Sequence, residues 1–160
     1  MKNVCGYNKQ DLIYIRQFIK EINNEIVLRI SPSGTWECSL PKYRIYLGTK
    51  KISKDLDYTW WKWYKKQEFY IGDNIFRRII SLLHEIGHFE TFDADEWDAR
   101  NKITNKLTTA YINDKISYEN LNYTYWNLPN EYKATKWAFE YYKNNRAKCE
   151  RLAAMLGLTS

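Results

Sequence analysis

Both histidines of this 160-residue chain lie in one nine-residue stretch, "LLHEIGHFE", residues 82–90, four positions apart and with Glu85 directly after the first. The apolar positions Ile75, Ile79, Leu82, Leu83 and Ile86 form one stripe around them, which predicts a helix from Asp73 to about Phe89, capped by Asp73 or Asn74. On a helix, residues i and i+4 share a face about 6 Å apart along the axis, so His84 and His88 point the same way. At about 100° per residue that way is opposite the Ile79, Leu82, Ile86 stripe, and a second segment has to cover it. Gly87 costs about 1 kcal/mol in a helix interior relative to alanine, which is tolerated where a missing side chain allows another segment or a substrate to come close.

Two imidazoles on one face are a chelate. Two histidines placed at random in such a chain fall four apart with glutamate after the first about once in a thousand times, so the pair reads as metal ligands rather than as two unrelated side chains. Glu85, rotated by about 100° from His84, is badly placed as a third ligand but well placed to serve as a base toward a water in an open coordination position. Catalytic zinc takes three protein ligands, and no third histidine exists. Thr91 and Ala94 stand where the extended pattern HExxHxxGxxH needs glycine and histidine. The third ligand is then a carboxylate: Asp93, Asp95, Glu96 or Asp98 just after the motif, or Glu119, Glu131 or Glu140 further on. Glu131 is favoured because Glu131, Ala134, Ala138 and Tyr141 share a helix face whose small residues permit close packing. Asp93 and Glu96 are its main competitors, and Glu131 can also be read as an acidic first-turn residue that complements the helix dipole.

Elsewhere the pattern is mixed. Leu12, Ile15, Phe18, Ile19 and Ile22 predict an amphipathic helix from Asp11, as its cap, to about Ile26. "EIVLRIS", "TWECSL" and "KYRIYLG" are strand-like, with a turn at Pro32-Ser33-Gly34 and Pro41 before the third, and predict a small antiparallel sheet. "DYTWWKWYKKQEFYIG" fits helix, strand or ordered loop, and its "WWKWYKK" core, Trp60 to Lys66, reads as part core and part solvated face. The acidic turn "ETFDADEWDAR" leads into a helix to about Leu107. "TTAYINDKISYENLNYTYWNLP" reads mainly as ordered loop, and a last helical region runs from Pro129 to Gly157 with a break near Asn144-Asn145. One α+β domain over residues 1–160 is expected, with one core.

Composition excludes some functions. No apolar run approaches the roughly 18 to 20 residues of a membrane span, and Lys9, Asp11, Arg16, Lys20 and Glu21 interrupt the first 30 residues, so neither a membrane role nor a secretory leader is expected. Cys5, Cys38 and Cys149 are far apart and odd in number, which argues against a disulfide framework and for a reducing cytoplasm. The net charge of +6 is spread along the chain and needs no nucleic-acid partner. A DNA-binding regulator would want a recognition helix, and none stands out.

His84-Glu85-Ile86-Gly87-His88, followed by Glu131-x-x-Ala134-x-x-Trp137-Ala138, resembles the zincin metallopeptidases with a downstream glutamate ligand, in particular the ImmA/IrrE type found on phages and integrating elements. The resemblance implies a minimal zincin-like fold: an N-terminal helix, a three-stranded sheet, the HExxH helix and a C-terminal helix carrying the glutamate. It implies one Zn²⁺ per chain held by His84, His88 and Glu131, Glu85 as catalytic base, and "KYRIYLG" as the edge strand beside an extended peptide. The expected activity is hydrolysis of peptide bonds in a protein or peptide substrate, with repressors of mobile elements suggested by the family's better-understood members. The remaining oxyanion donor would come from Tyr111, Tyr118, Tyr123, Tyr125, Tyr132, Arg, Lys or a backbone N–H. The rival reading is a non-enzymatic protein that keeps the fold to bind a repressor or host protein.

Overall fold

The computed structural model describes residues 6–31, 36–50 and 60–158. Their order is α1 (Lys9–Ile22), β1 (Val27–Ile30), β2 (Glu37–Ser39), a 3₁₀ turn (Leu40–Lys42), β3 (Arg44–Leu47), α2 (Arg77–Glu90), α3 (Ala94–Ile112), α4 (Tyr118–Trp126), α5 (Pro129–Asn144) and α6 (Arg146–Met155). A helical turn, residues 60–64, lies between β3 and α2. This is an α+β fold.

α1 starts at Asn8 rather than at Asp11. The Asn8 side chain accepts from the Asp11 N–H, and the Asp11 carboxylate accepts in return from the Asn8 N–H, a reciprocal box that satisfies two otherwise unpaired donors. The helix ends at Ile22, where Asn23 turns extended. The sheet has the order β1-β3-β2: β1 runs parallel to β3 and β2 antiparallel to it, so the sheet is mixed and not the antiparallel one expected. β3 is therefore the central strand, buried at Ile45 and Leu47, and "KYRIYLG" is not an edge. The edges are β1 and β2. The expected turn at residues 32–34 and Cys5 lie outside the described residues.

α2 begins at Arg77, four residues later than its pattern suggests, because Asp73 is engaged elsewhere. Its carboxylate accepts from Trp61 Nε1 and Tyr70 Oη and pairs with Lys65, which pins the 60–73 segment instead of capping a helix. Trp61, Trp63 and Tyr64 are buried in the core while Lys62, Lys65 and Lys66 stay outside, so the aromatic-basic run is a core element with a solvated edge. One contiguous apolar cluster joins α1, β1, β3, residues 61–64, α2, α5 and α6.

The most extensive helix pairing is α2 against α5. Gly87 explains how close it is: a Cβ there would stand 2.5 Å from the Ala134 carbonyl oxygen and 3.0 Å from its Cα. Ala134 and Ala138 are fully buried in that contact, and Thr135 is 2% exposed. Small residues facing one another across two helices let the backbones approach, as the spacing around Gly87 and Glu131 anticipated. Between α2 and α5 the chain makes an excursion of two helices. α3 reaches Ile112, beyond the expected Leu107. α4 forms where loop was expected, its first turn capped by the Ser117 hydroxyl accepting from the Asn120 N–H. Among the described residues no helix is long and apolar enough to cross a membrane.

Candidate metal centre

The α2–α5 contact brings the histidine face of one helix onto the first turn of the other. Glu131, in the first turn of α5, is 2% exposed, and its Oε2 lies 3.3 Å from His84 Nε2 and 3.4 Å from His88 Nε2. His88 is 5% exposed and His84 12%. The three donor atoms lie within 4.8 Å of one another.

Hydrogen bonds around the three residues fix which atoms are available. Thr135 Oγ1 donates its only proton to the Glu131 carbonyl at 2.8 Å, so its 3.0 Å contact with His84 Nδ1 requires the imidazole to donate there. With the proton on Nδ1, the Nε2 lone pair of neutral His84 is left pointing at Glu131. The other carboxylate oxygen, Glu131 Oε1, accepts from Asn130 Nδ2 at 3.2 Å and from Arg100 Nε at 3.4 Å, and Arg100 also donates to Tyr125 Oη at 2.7 Å. Oε2 is thereby the oxygen left for the histidines. Such outer hydrogen bonds orient ligands and tune their basicity.

Electron-pair donors at this separation need a positive charge between them, either a proton on an imidazole or a metal ion. Burial alone would lower the His84 pKa, but the hydrogen bond to Glu131 and the nearby Glu85 and Glu131 charges reverse it and the net shift is upward. Burial likewise pushes the Glu131 pKa up, and the two histidines outweigh it and hold the carboxylate ionised well below its ordinary range. The geometry also suits an ion. Bonds of about 2.0–2.1 Å in tetrahedral arrangement set neighbouring ligand atoms about 3.3–3.4 Å apart. The two Glu131–histidine distances match that edge, so the residues fit a small divalent cation.

Glu85 sits beside the trio, 8% exposed, with its pKa raised chiefly by burial while the two histidines pull it down. The competing carboxylates are elsewhere. Asp93 caps α3 by accepting from the Glu96 N–H, and Glu96 pairs with Lys133 at 2.6 Å. Asp95, Asp98, Glu119 and Glu140 are exposed. Of the five tyrosines considered as oxyanion donors, Tyr125 is the one drawn to the centre through Arg100. Tyr111, Tyr118 and Tyr123 are exposed, and the Tyr132 hydroxyl reaches Glu68.

Four residues of the site escape a reading of the sequence: Arg100, Asn130, Thr135 and Cys38. Thr135 carried a signal, since it stands four positions after Glu131 on the same helical face. Cys38 on β2 carried none; its donor atom lies within 4.8 Å of those of Glu85 and His88. Two aromatic edges close the flanks: Trp60 meets His84 with ring centroids 6.1 Å apart, and Trp97 meets His88 at 5.7 Å. Trp97 also carries the Arg100 guanidinium over its face at 4.9 Å.

Searches against protein-family models, characterised proteins and solved structures find no match to this chain.

Proposed function

We propose that the chain is a zinc-dependent metallopeptidase of the zincin type with His84, His88 and Glu131 as ligands and Glu85 as catalytic base, similar to the ImmA/IrrE proteins. The observation that carries this reading is the convergence of Glu131 Oε2 on both histidine Nε2 atoms at tetrahedral-edge distances, with Glu85 on the same helix beside them.

A zinc ion held there would lower the pKa of a bound water to near neutrality and polarise a carbonyl group. The chain does the rest. His84 presents Nε2 because Thr135 occupies its Nδ1–H, and Glu131 presents a single oxygen because Arg100 and Asn130 hold the other. Glu85 accepts a proton from the attacking water and returns it to the leaving amine, the two halves of general acid–base catalysis. Its burial raises its proton affinity, which suits the second half. Arg100 and Tyr125, hydrogen-bonded to each other beside Glu131, are the donors we assign to a developing oxyanion. The substrate is a protein or peptide, and repressors of mobile elements are the first to try.

Glu85→Ala separates this reading from the non-enzymatic one. A peptidase variant keeps its metal and loses cleavage by at least about two orders of magnitude, the ordinary contribution of a positioned proton-transfer group. A binding protein keeps both metal and partner binding, and undiminished function in Glu85→Ala contradicts the catalytic assignment.

A further inference from the structure

The aromatic run that begins at Trp60 lies against the metal centre as well as in the core. Trp60 and Tyr64 are i, i+4 neighbours in the helical turn 60–64, with ring centroids 4.3 Å apart, and the Trp60 ring meets the His84 imidazole edge-on at 6.1 Å. Tyr64 packs its own ring edge-on against Phe139 of α5 at 5.1 Å, and Phe139 stands one helical turn after Thr135. The Tyr64 hydroxyl comes up beside the Thr135 side chain.

Tyr64 is fully buried, and its hydroxyl has no well-formed hydrogen bond among the described residues. A phenol keeps its proton at neutral pH, so this is a donor out of water with nothing to give to, an unfavourable arrangement that native interiors rarely keep. Thr135 Oγ1 offers the complement, since a hydroxyl has one proton and two acceptor sites. The proton goes to the Glu131 carbonyl at 2.8 Å, and one acceptor site takes the His84 Nδ1–H at 3.0 Å. The second acceptor site is open. An unused donor and an unused acceptor stand side by side.

We propose that Tyr64 is a positioning residue for the metal centre: its hydroxyl donates to Thr135 Oγ1 and, through it, holds the His84 imidazole with Nε2 toward the ion. The inference rests on the metal-site reading given above and extends it one layer outward. With Tyr64 donating, every hydrogen-bonding direction of Oγ1 is filled, and the Thr135 proton cannot turn toward Tyr64. That proton stays on the Glu131 carbonyl, so His84 gives its Nδ1 proton to Oγ1 and keeps the Nε2 lone pair for the metal. A donor to Oγ1 also polarises the hydroxyl and strengthens its bond to the backbone of Glu131, the residue that supplies the third ligand. The 60–64 turn thereby acts on His84 twice, through the Trp60 ring contact and through Tyr64 and Thr135.

The test is a double-mutant cycle on the full chain with Tyr64→Phe and Thr135→Val. It is read by Zn²⁺ affinity in competition with a chelator and by the urea midpoint of the metal-free protein. Tyr64→Phe removes one buried oxygen and keeps the ring. In the wild-type background it is expected to weaken Zn²⁺ binding by about three- to tenfold, less than the loss of a group that touches the ligand itself, and to lower the urea midpoint. In the Thr135→Val background it is expected to leave Zn²⁺ affinity within about twofold and to raise the midpoint, since there the hydroxyl has lost its acceptor. A role in packing alone gives the same loss in both backgrounds, and that result overturns the proposal. So does an unchanged Zn²⁺ affinity, or a midpoint that rises, in Tyr64→Phe alone. Should Thr135→Val fail to fold, those two readings on Tyr64→Phe decide. A wild type that takes up no Zn²⁺ overturns the metal-site reading and this proposal together, whereas each of the other failures leaves that reading standing.

Discussion

The seam between α2 and α5 and the projecting pair α3 and α4 are both helical, yet they follow opposite rules. At the seam, Gly87 touches the Ala134 backbone, Ala138 and Thr135 are buried, and a glutamate and two histidines are enclosed, with Thr135 orienting His84 and with Asn130 and Arg100 orienting Glu131. α3 and α4 contain no fully buried residue, and Ile112, Tyr111, Tyr118 and Tyr123 are exposed by 42–71%. α3 contributes to the site only near its start, through Trp97 and Arg100. Packing rigidity is concentrated where ligand geometry is set, and the excursion hangs from it.

The largest expected effect of breaking that contrast is at Gly87. In Gly87→Ala the added methyl meets backbone, which cannot swing aside as a side chain can, so the helices must part. Overpacking outweighs the gain in helix propensity, and the variant is expected to lose about 2 kcal/mol of stability, read as a lower midpoint in urea denaturation, together with weaker metal binding. A midpoint at or above that of the wild type would show that the seam is looser than its distances imply. Next in size is Thr135→Val. It keeps shape but removes the acceptor for His84 Nδ1–H, and metal affinity is expected to fall by roughly 10- to 100-fold in a competition titration against a chelator. The smallest effect belongs to the excursion. Ile112→Ser, at a residue 71% exposed, is expected to change stability by less than about 0.5 kcal/mol and to leave metal content alone. A larger loss there would mean that α3 is held by something the described contacts omit.

The same contrast explains what was legible in the sequence. The seam was readable because its constraints are local and periodic: an apolar stripe fixes the helix, the i, i+4 spacing places the histidines, and Gly87, Ala134 and Ala138 mark a close approach. α4 was not, since "YENLNYTYW" has aromatic and amide residues without an apolar period, and its helicity depends on the Ser117 cap and on packing. The parallel pairing of β1 with β3 was hidden for another reason. Strand alternation shows which face is buried but not which strand lies beside which, and the order β1-β3-β2 is a property of the chain path between them. Cys38 and Arg100 are near the candidate ligands only because tertiary structure brings them there, whereas Asn130 adjoins Glu131 in the chain and what its position does not reveal is that its amide turns back onto the Glu131 carboxylate. Asp73 illustrates a competing demand: it has the composition of a cap and is used instead to gather Trp61, Tyr70 and Lys65.

The central claim is that His84, His88 and Glu131 form one metal site that the nearby acidic turn does not share. Elemental analysis of purified wild type, Glu131→Ala and Asp93→Ala, each checked for folding, tests it most directly. The account predicts one zinc per chain in the wild type, retained in Asp93→Ala and lost in Glu131→Ala. No metal in the wild type even after zinc is supplied, or metal retained in Glu131→Ala, would contradict it.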